Sequence, residues 1–190
     1  MTETGRVSKA RERILLTADR LFYDEGIHAV GIQRIVAEAS VTRVTLYRHF
    51  PSKDDLVAAY LERRAAYDRD QIDGIMATYA DDPRGGLEVM ATALTRDDFG
   101  AVRRGCPFIN ASAEYPDPES PVRIAIRAHR SWFHRTLAEA LSAASRPDPD
   151  SGARALVLLR DAALVGGYLD GPDAMRETFV SASRALAGLS

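Results

Sequence analysis

Residues 30–53 of the chain read VGIQRIVAEASVTRVTLYRHFPSK. Apolar residues recur in this stretch at the three-to-four-residue spacing of a helix face, in two short segments separated by Ala39, Ser40 and Val41. Small residues at this point permit two helices to cross closely. Thr42 is a favourable N-cap for the second segment, because its hydroxyl can accept an amide proton of the first turn. The pattern predicts helices over 32–39 and 43–49, joined as a helix-turn-helix.

The charge of the same stretch agrees with this prediction. Between positions 38 and 54 the sequence contains no aspartate or glutamate, whereas Arg43, Arg48, His49 and Lys53 all lie there. A basic helix without carboxylates suits a polyanion, because phosphate contacts supply most of the affinity for a duplex. The second helix is therefore a candidate for insertion into the major groove of DNA.

The run TRVTLYRHFPSK at 42–53, followed by Asp54, Asp55 and Leu56, resembles the recognition helix and the next helix start of the TetR family of transcriptional regulators. The pattern Thr-Leu-Tyr-x-His-Phe-x-x-Lys-x-x-Leu constrains many positions at fixed spacing. The resemblance covers about residues 8–55, and beyond them it is one of architecture and length. It implies an N-terminal DNA-binding domain of three helices and a larger helical domain that binds a ligand and dimerises.

Composition allows a sizeable core and restricts the class of protein. The chain has 190 residues, of which 46% are hydrophobic and 27% charged, so it is not expected to be disordered. Its single cysteine excludes an internal disulfide and fits a reducing compartment. A membrane helix needs about 18 consecutive apolar residues, and no apolar run in the sequence is that long. No signal peptide is evident. We expect a soluble, cytoplasmic protein without a membrane partner.

Net charge by itself does not favour a nucleic-acid partner. The whole chain carries −2, with +2 over residues 1–64 and −4 over the remainder. Affinity for DNA must therefore come from basic side chains placed on one face rather than from a basic domain.

Periodicity along the rest of the chain predicts an all-α fold of about nine helices in two domains, a DNA-binding domain over 1–55 and a regulatory domain over 56–190. The first helix, about 8–25, is expected to end at Gly26. The small core of the first domain is expected to contain Phe22, Ile35, Leu46, Phe50 and Leu56. The remaining helices are expected at about 52–79, 87–95, 106–115, 122–145, 153–169 and 172–189. Residues 81–86, 96–105, 116–121 and 146–152 are expected to be loops or breaks.

Ten side chains are candidates for DNA binding: Gln33, Arg34, Thr42, Arg43, Val44, Thr45, Tyr47, Arg48, His49 and Lys53. Arg43 lies at the first turn of the recognition helix, where a guanidinium can read guanine O6 and N7. Thr45 suits a phosphate or a thymine methyl, and the family resemblance assigns the Tyr47 hydroxyl to a phosphate. Val44 occupies a position where the family often has a small residue. The alternative for each is an exposed, solvated side chain or ordinary packing.

The roles of the other candidates depend on their position. His49 is expected to donate to a phosphate, and Lys53 adds its charge to a helix N-terminus that favours one. Gln33 and Arg34, early in the preceding helix, are expected to clamp the backbone across the groove.

The larger domain is expected to contain a ligand cavity and a dimer interface. The cavity candidates are large or soft apolar groups with a few polar ones: Phe99, Cys106, Phe108, Ile109, Asn110, His129, Trp132, Phe133 and Tyr168. The last two helices, over 153–189, have apolar faces with small residues and can close a four-helix bundle with a second copy. The dimerisation candidates are Leu156, Leu159, Ala163, Gly167, Met175, Phe179, Ala182 and Leu186.

These features favour a dimeric, ligand-responsive DNA-binding regulator, a repressor released from a near-palindromic operator by a small-molecule effector, with no cofactor and no metal. One alternative is a helical dimer that binds a ligand or protein without DNA. The other is an enzyme that pairs Cys106 with a histidine such as His129. No orienting motif surrounds the cysteine, and no phosphate-binding or dinucleotide motif is present. His129 and His134 are five residues apart, which does not suit two zinc ligands on one helix face.

Overall fold

The structure, a computed structural model, describes residues 9–100 and 104–189, with the side chains of these residues except 94–100 and 174. Within these ranges the chain forms nine helices and no strand, which confirms the all-α prediction. The helices are α1 Lys9–Glu25, α2 Ile32–Glu38, α3 Arg43–His49, α4 Lys53–Thr78, α5 Pro83–Gly100, α6 Pro107–Glu114, α7 Pro121–Ala143, α8 Pro149–Asp170 and α9 Pro172–Ala187.

The first four helices lie where the sequence predicted them. Gly26 ends α1 with a φ of +95°, a conformation that favours glycine, and its amide donates to the Phe22 carbonyl at 3.1 Å. At the start of α4, Ser52 and Asp55 cap each other. The Ser52 amide donates to the Asp55 carboxylate at 3.0 Å, and the Asp55 amide donates to the Ser52 hydroxyl at 3.0 Å.

Each of the five later helices begins at a proline, and this shifts two predicted boundaries. Residues 81–86 and 146–152 were expected to be breaks, but α5 begins at Pro83 and α8 at Pro149. In both cases an aspartate precedes the proline and caps the helix: the Asp82 side chain accepts from the Gly85 amide at 3.0 Å, and Asp148 accepts from the Ser151 amide at 3.1 Å. A proline in the first helical position loses no hydrogen bond, so it starts a helix there rather than interrupting one.

The loop predicted at residues 96–105 is wrong over its first half. The helix α5 continues to Gly100 instead of ending at Thr95. No proline or glycine lies between Leu87 and Phe99, and the charged run at 96–98 costs a helix only a few tenths of a kcal/mol per residue. Polar composition alone therefore does not end the helix.

The described residues divide into two compact units. One contains the chain up to Arg64 together with Pro107–Ile126, and the other contains Ala65–Cys106 and the chain from Arg127 onward. These units are defined by compactness, whereas a domain is defined by independent folding. The domain boundary predicted at residue 55 therefore stays a prediction. Helix α4 contributes its first turns to the first unit and its later turns to the second.

The first unit contains the core that the sequence predicted. Phe22, Ile35, Leu46, Phe50 and Leu56 are all buried, with at most 3% of each exposed. Helices α1, α2 and α3 pack against one another around them. The recognition-helix candidate α3 is thus fixed by its inner face to α1 and α2.

Within the first unit, α6 is tied to the turn between α1 and α2. The Glu114 carboxylate accepts from the amides of Ile27 at 2.9 Å and His28 at 2.6 Å. The next residue, Tyr115, donates its hydroxyl to the Asp54 carboxylate at 2.9 Å, and its ring stacks on His28 at 5.5 Å. Burial and the neighbouring carboxylate raise the pKa of Tyr115, so it stays a neutral donor.

The second unit has its own apolar core, in which α9 packs against both α5 and α8. Its buried members are Ile72, Leu87, Met90, Phe133, Leu137, Ala140, Leu141, Ala153, Leu156 and Ala187. Helices α8 and α9 form the hairpin that the sequence predicted. At their crossing, Gly166 lets Met175 approach closely, since a Cβ there would lie 2.8 Å from its sulfur.

We predict that Glu114→Ala lowers the free energy of unfolding of the first unit by about 1–3 kcal/mol, because two adjacent backbone amides lose a charged acceptor. Urea unfolding measures the loss, and hydrogen exchange of the Ile27 and His28 amides locates it. Glu62→Ala, at an exposed carboxylate on α4, is the matched control and should change stability by less than about 0.5 kcal/mol. Unchanged exchange of the two amides in Glu114→Ala would contradict the assignment.

Candidate functional site

The turn between α2 and α3 is closed by backbone and side-chain hydrogen bonds. The Val41 amide donates to the Val36 carbonyl at 3.2 Å, and Ser40 takes a φ of +52° to make the reversal. The Thr42 hydroxyl accepts from the Thr45 amide at 3.1 Å, as the sequence predicted for an N-cap, and lies 2.9 Å from the Thr45 hydroxyl. Both threonines are therefore partly engaged in holding the start of α3.

The burial of Leu46 and Phe50 decides which side of α3 faces solvent. These two residues are four positions apart, so they lie on one face of the helix. The helical period places Val44 and Arg48 on the opposite face. Val44 is 79% exposed, the highest value among the exposed large hydrophobic residues, and Arg48 is exposed as well. The outer face of α3 therefore centres on these two side chains.

Arg43 and Tyr47 flank this outer face on one side. The Arg43 guanidinium carbon lies 5.5 Å from the centre of the Tyr47 ring, a cation–π contact that aligns the two side chains. Arg43 is exposed, while Tyr47 and His49 are half-buried. No carboxylate belongs to α3, so the surface it offers is cationic and apolar with two hydroxyl-bearing side chains.

Arg34, by contrast, is engaged with two carboxylates of its own unit. Its guanidinium pairs with Glu25 and with Glu38, whose Oε1 lies 2.9 Å from the Arg34 Nε, and Glu38 also pairs with Arg20. The hydrogen bonds that Arg34 donates to Glu38 and Glu25 raise the pKa of Arg34, and the hydrogen bonds that Glu38 accepts from Arg34 and Arg20 lower the pKa of Glu38. Its neighbour Gln33 is exposed. The positive charge of Arg34 is thus matched within the protein.

Lys53 is also held inside the first unit. Its ammonium donates to the Ile27 carbonyl at 2.6 Å and lies 5.9 Å from the centre of the Phe22 ring. Partial burial lowers its pKa. Lys53 was predicted to bind a phosphate at a helix N-terminus. In the structure it connects the α1–α2 turn to the start of α4.

The second unit contains a cavity of about 40 Å³ that is partly open to solvent, since Tyr67 and Gln71 in its lining are exposed. Its lining comes from α4, α5, α7 and α8: Tyr67, Asp68, Gln71, Ile72, Ile75, Met90, Ala93, His129, Phe133 and Arg160. Of the nine predicted cavity residues, His129 and Phe133 lie in this lining. Helix α4 contributes half of the lining, a role that the sequence prediction did not assign to it.

Aromatic rings and guanidinium groups pack on one another at His129, Phe133 and Arg160 of the lining, and also at Trp132 and Arg69, which do not belong to the lining. His129 stacks on Phe133, with ring centres 6.4 Å apart and a 7° angle between the planes, and lies 5.5 Å from Trp132. The Arg160 guanidinium lies 5.1 Å from the centre of the Phe133 ring, and that of Arg69 lies 5.8 Å from Trp132. Arg160 was not among the residues predicted to line a cavity, although a single arginine inside the apolar run ALVLLRDAAL is a detectable signal.

The remaining predicted cavity residues do not line this cavity. The side chain of Phe99 lies outside the described residues. Cys106 and Phe108 are buried elsewhere, and Phe108, Ile109 and Asn110 belong to the first unit. Tyr168 is 53% exposed at the surface of α8.

The structure separates the eight predicted dimerisation residues into buried and accessible ones. Leu156, Ala163, Gly167 and Phe179 are buried within the protomer, and Leu159, Met175 and Ala182 are partly buried; Leu186 is 41% exposed. A different apolar stripe faces outward on α8: Leu158 at 69%, Val165 at 42% and Leu169 at 70%, with Ala162 between them. Their spacing places all four on one helix face.

The described residues also bear on metal binding and membrane insertion. They contain no group of three or more histidine, cysteine, aspartate or glutamate side chains arranged to hold a metal ion. None of their helices combines the length and apolar character needed to cross a membrane.

His129 makes the stability of the second unit depend on pH. Burial, followed by the charges of Arg160, Arg69 and Arg130, lowers its pKa to about 3. The unfolded chain takes up a proton below about 6.5 but the folded one does not until about 3, so stability falls as the pH falls through this window. The 3.5 Å approach of its Nε2 to Asp68 is therefore a contact of a neutral imidazole at neutral pH.

We predict that wild-type protein loses about 2 kcal/mol of unfolding free energy between pH 6.5 and pH 5 through this group, and that His129→Gln removes that part of the slope. Denaturant unfolding, followed by the fluorescence of Trp132, measures the stability of the second unit, because Trp132 belongs to that unit. His28→Gln, at a side chain that is 64% exposed, is the control and should keep the wild-type slope. Equal slopes in wild type and His129→Gln would contradict the burial of a neutral imidazole.

Comparison with known proteins identifies the fold and its class. The family profile described as bacterial regulatory proteins, tetR family, matches residues 14–60. SCO4454, a TetR-family transcriptional regulator from Streptomyces coelicolor, has a crystal structure that is 44% identical, covers 95% of each chain and superposes with a TM-score of 0.90.

Curated relatives match over shorter spans. The transcriptional activator FasR of Mycolicibacterium smegmatis is 42% identical over 53 residues, which is 28% of this chain and 24% of FasR. The regulator LmrA of Bacillus subtilis is 29% identical over 127 residues, 65% of this chain and 66% of LmrA. The chain thus spans about a quarter of the length of FasR and two thirds of that of LmrA. Because the chain matches SCO4454 over nearly its whole length and also matches the tetR family profile, it belongs to the TetR family of transcriptional regulators.

Proposed function

We propose that the protein is a dimeric repressor that reads a near-palindromic operator with α3 and is released from it by a small-molecule effector. The observation that carries this proposal is the outer face of α3. Val44 is 79% exposed beside the exposed Arg43 and Arg48, with no acidic side chain on the helix. In a major groove, an exposed valine between arginines can contact thymine methyl groups.

Roles follow from the position of each side chain on α3. Arg48 and Val44 face outward most directly, so they are assigned to base edges together with Arg43, whose guanidinium can pair with guanine O6 and N7. Thr45 and Tyr47 flank this face and are assigned to phosphates, which fix the register of the helix without reading sequence. Charge complementarity here is local, and this fits a chain with a net charge of −2.

Residues around α3 are assigned to the backbone of the DNA. Thr42 and His49, at the two ends of the helix, and the exposed Gln33 on α2 are placed for phosphates. Arg34 and Lys53 are assigned an indirect role, which is to stabilise the first unit. Arg34 is paired with Glu25 and Glu38, and Lys53 donates to the Ile27 carbonyl. A phosphate contact by either would have to replace these bonds.

The assignment can be tested without knowing the operator. Selection from a random duplex library should enrich two related half-sites, with centres about 34–36 Å apart or a multiple of that distance. Arg43→Ala and Arg48→Ala should each reduce the ratio of specific to scrambled-duplex affinity by about 5–100-fold, the effect of losing one bidentate base contact. Fluorescence anisotropy at fixed salt gives the ratio.

Arg135→Ala, which removes an exposed arginine from α7, is the matched control for net charge and should leave the ratio within about twofold of wild type. Selection that enriches no motif, or Arg43→Ala and Arg48→Ala variants with the wild-type ratio, would contradict sequence reading by α3.

A second copy is proposed to cover the outward stripe of α8. Leu158, Val165 and Leu169 are large apolar residues on one helix face with 42–70% of each exposed. A two-fold axis near Val165 packs this stripe on itself in antiparallel fashion, since a symmetric dimer uses one patch twice. The N-terminal end of α8, with the exposed Arg154, then approaches the exposed Asp170 and Asp173 of the other copy. Leu186 of α9, which is 41% exposed, extends the apolar area.

We predict that Val165→Glu dissociates the dimer, because two carboxylates would be brought together near the two-fold axis in an apolar contact. Sedimentation velocity at micromolar concentration measures the state. Ile124→Glu changes an apolar residue of similar exposure, 49%, on α7 and should leave the dimer intact. A Val165→Glu protein that stays dimeric would place the interface elsewhere.

The proposed release mechanism uses the continuity of α4. This helix carries buried residues of the first unit, Leu56 and Tyr60, and then five of the cavity residues, from Tyr67 to Ile75. An effector that binds better to a state with altered α4 shifts the population away from the DNA-binding state. A difference of about 1–3 kcal/mol between the two states is typical of such coupling.

A further inference from the structure

A second cavity, of about 20 Å³, lies beside the first one in the second unit. Nine side chains from α5, α7, α8 and α9 line it, and each of them is at most 8% exposed. The two linings share Met90 and Phe133, which therefore separate this inner cavity from the outer cavity, the one that Tyr67 and Gln71 leave partly open. Methionine is unbranched and flexible, so a change in the rotamer of Met90 can connect the two spaces.

Ser183 is the polar side chain in the described lining of the inner cavity, and the other eight are apolar. It is 3% exposed, and its hydroxyl has no hydrogen-bond partner among the described residues. A hydroxyl inside a helix commonly donates to the carbonyl four residues earlier, as those of Thr78 and Thr92 do at 2.8 and 3.1 Å. Ser183 departs from this pattern and leaves its hydroxyl at the cavity wall.

Water is a poor partner for this hydroxyl. A buried water is held by about two to four polar groups. The described lining offers it one side-chain hydroxyl, and the backbone of the surrounding helices is engaged in its own hydrogen bonds. A buried hydroxyl without a partner costs free energy. The Ser183 hydroxyl is therefore available to a hydrogen-bonding group that enters from the outer cavity.

The lining of the outer cavity favours a ligand without net charge. Its described residues contain one guanidinium, that of Arg160, and one carboxylate, that of Asp68. The third titratable neighbour, His129, is neutral because burial lowers its pKa to about 3. A charged ligand would add an unmatched charge to a largely apolar space, which is costly.

We propose that the two cavities form one binding site for a neutral organic molecule with an apolar body and a hydroxyl or carbonyl oxygen. The body lies in the outer cavity against Ile72 and Ile75, and the oxygen passes Met90 and hydrogen-bonds to Ser183. The inner cavity of about 20 Å³ has room for one or two water-sized groups, so only the polar end enters it. This inference rests on the proposed function and names the chemical class of the effector.

Trp132, the single tryptophan of the chain, provides the measurement, because its ring centre lies 6.0 Å from that of Phe133, which belongs to both linings. Benzyl alcohol beside toluene, and cyclohexanone beside cyclohexene, are titrated against the purified full-length protein. Benzoate and benzylammonium carry the same ring with a charge. We expect at least one of the two oxygenated probes to change the fluorescence saturably and to bind at least about fivefold more tightly than either charged probe.

Ser183→Ala tests the hydrogen bond in the inner cavity. It should weaken the better oxygenated probe by about 3–10-fold, the effect of one hydrogen bond, and leave the matching hydrocarbon within about twofold of wild type. The variant is expected to fold, because it removes a buried hydroxyl that has no partner among the described residues. Ser181→Ala, at an exposed serine of the same helix, is the matched control and should bind every probe as wild type does.

Three results would overturn the proposal. The first is a Ser183→Ala protein that keeps the wild-type ratio of oxygenated probe to hydrocarbon affinity. The second is a charged probe that binds within about fivefold of the better oxygenated one. The third is no saturable response to either oxygenated probe at roughly 10 mM, well above the dissociation constant that a fitted ligand of about eight non-hydrogen atoms reaches.

The titration distinguishes this proposal from the proposed function. It is made without DNA, so its failure leaves operator binding by α3 and release by another class of effector untouched. Failure of operator selection would conversely leave binding that depends on Ser183 intact.

Discussion

The packing of Leu46 and Phe50 into the core of the first unit is the constraint on which the outer face of α3, the proposed DNA-reading surface, depends. Both are at most 2% exposed, and Phe50 also lies beneath the Arg11 guanidinium at 5.1 Å. A seven-residue helix is too short to be stable alone, so its orientation comes from these contacts and not from propensity. Once the inner face is fixed, Val44 and Arg48 must point outward.

The basic residues near α3 divide into two kinds. Arg43 and Arg48 present their charge on the outer face, whereas Arg34 is matched by Glu25 and Glu38, and Lys53 donates to the Ile27 carbonyl. Arg34 and Lys53 therefore stabilise the helices of the first unit, on which Arg43 and Arg48 are presented. Counting basic residues along the sequence does not make this distinction, because the partners of Arg34 and Lys53 include residues up to 26 positions away.

In the second unit, too, some of the residues predicted to have a function are buried in the core, and other residues face outward. Leu156, Ala163 and Phe179 belong to its interior, whereas Leu158, Val165 and Leu169 face outward, where we propose that a second copy packs. Its cavity is lined by a neutral imidazole, that of His129, and by the buried guanidinium of Arg160.

The sequence by itself determined the helix-turn-helix, the core of the first unit, the Gly26 stop, the N-cap at Thr42 and the all-α class. These depend on local periodicity and on hydrogen bonds between residues three or four apart, which a sequence displays directly. Prolines after a capping aspartate were misread as breaks because their meaning depends on helix position. Only the tertiary structure decided which face of α8 is buried, that Arg160 lines the cavity, and that Glu114 caps a turn 86 residues before it. These are contacts between segments distant in sequence, and no local pattern encodes the partner of such a contact.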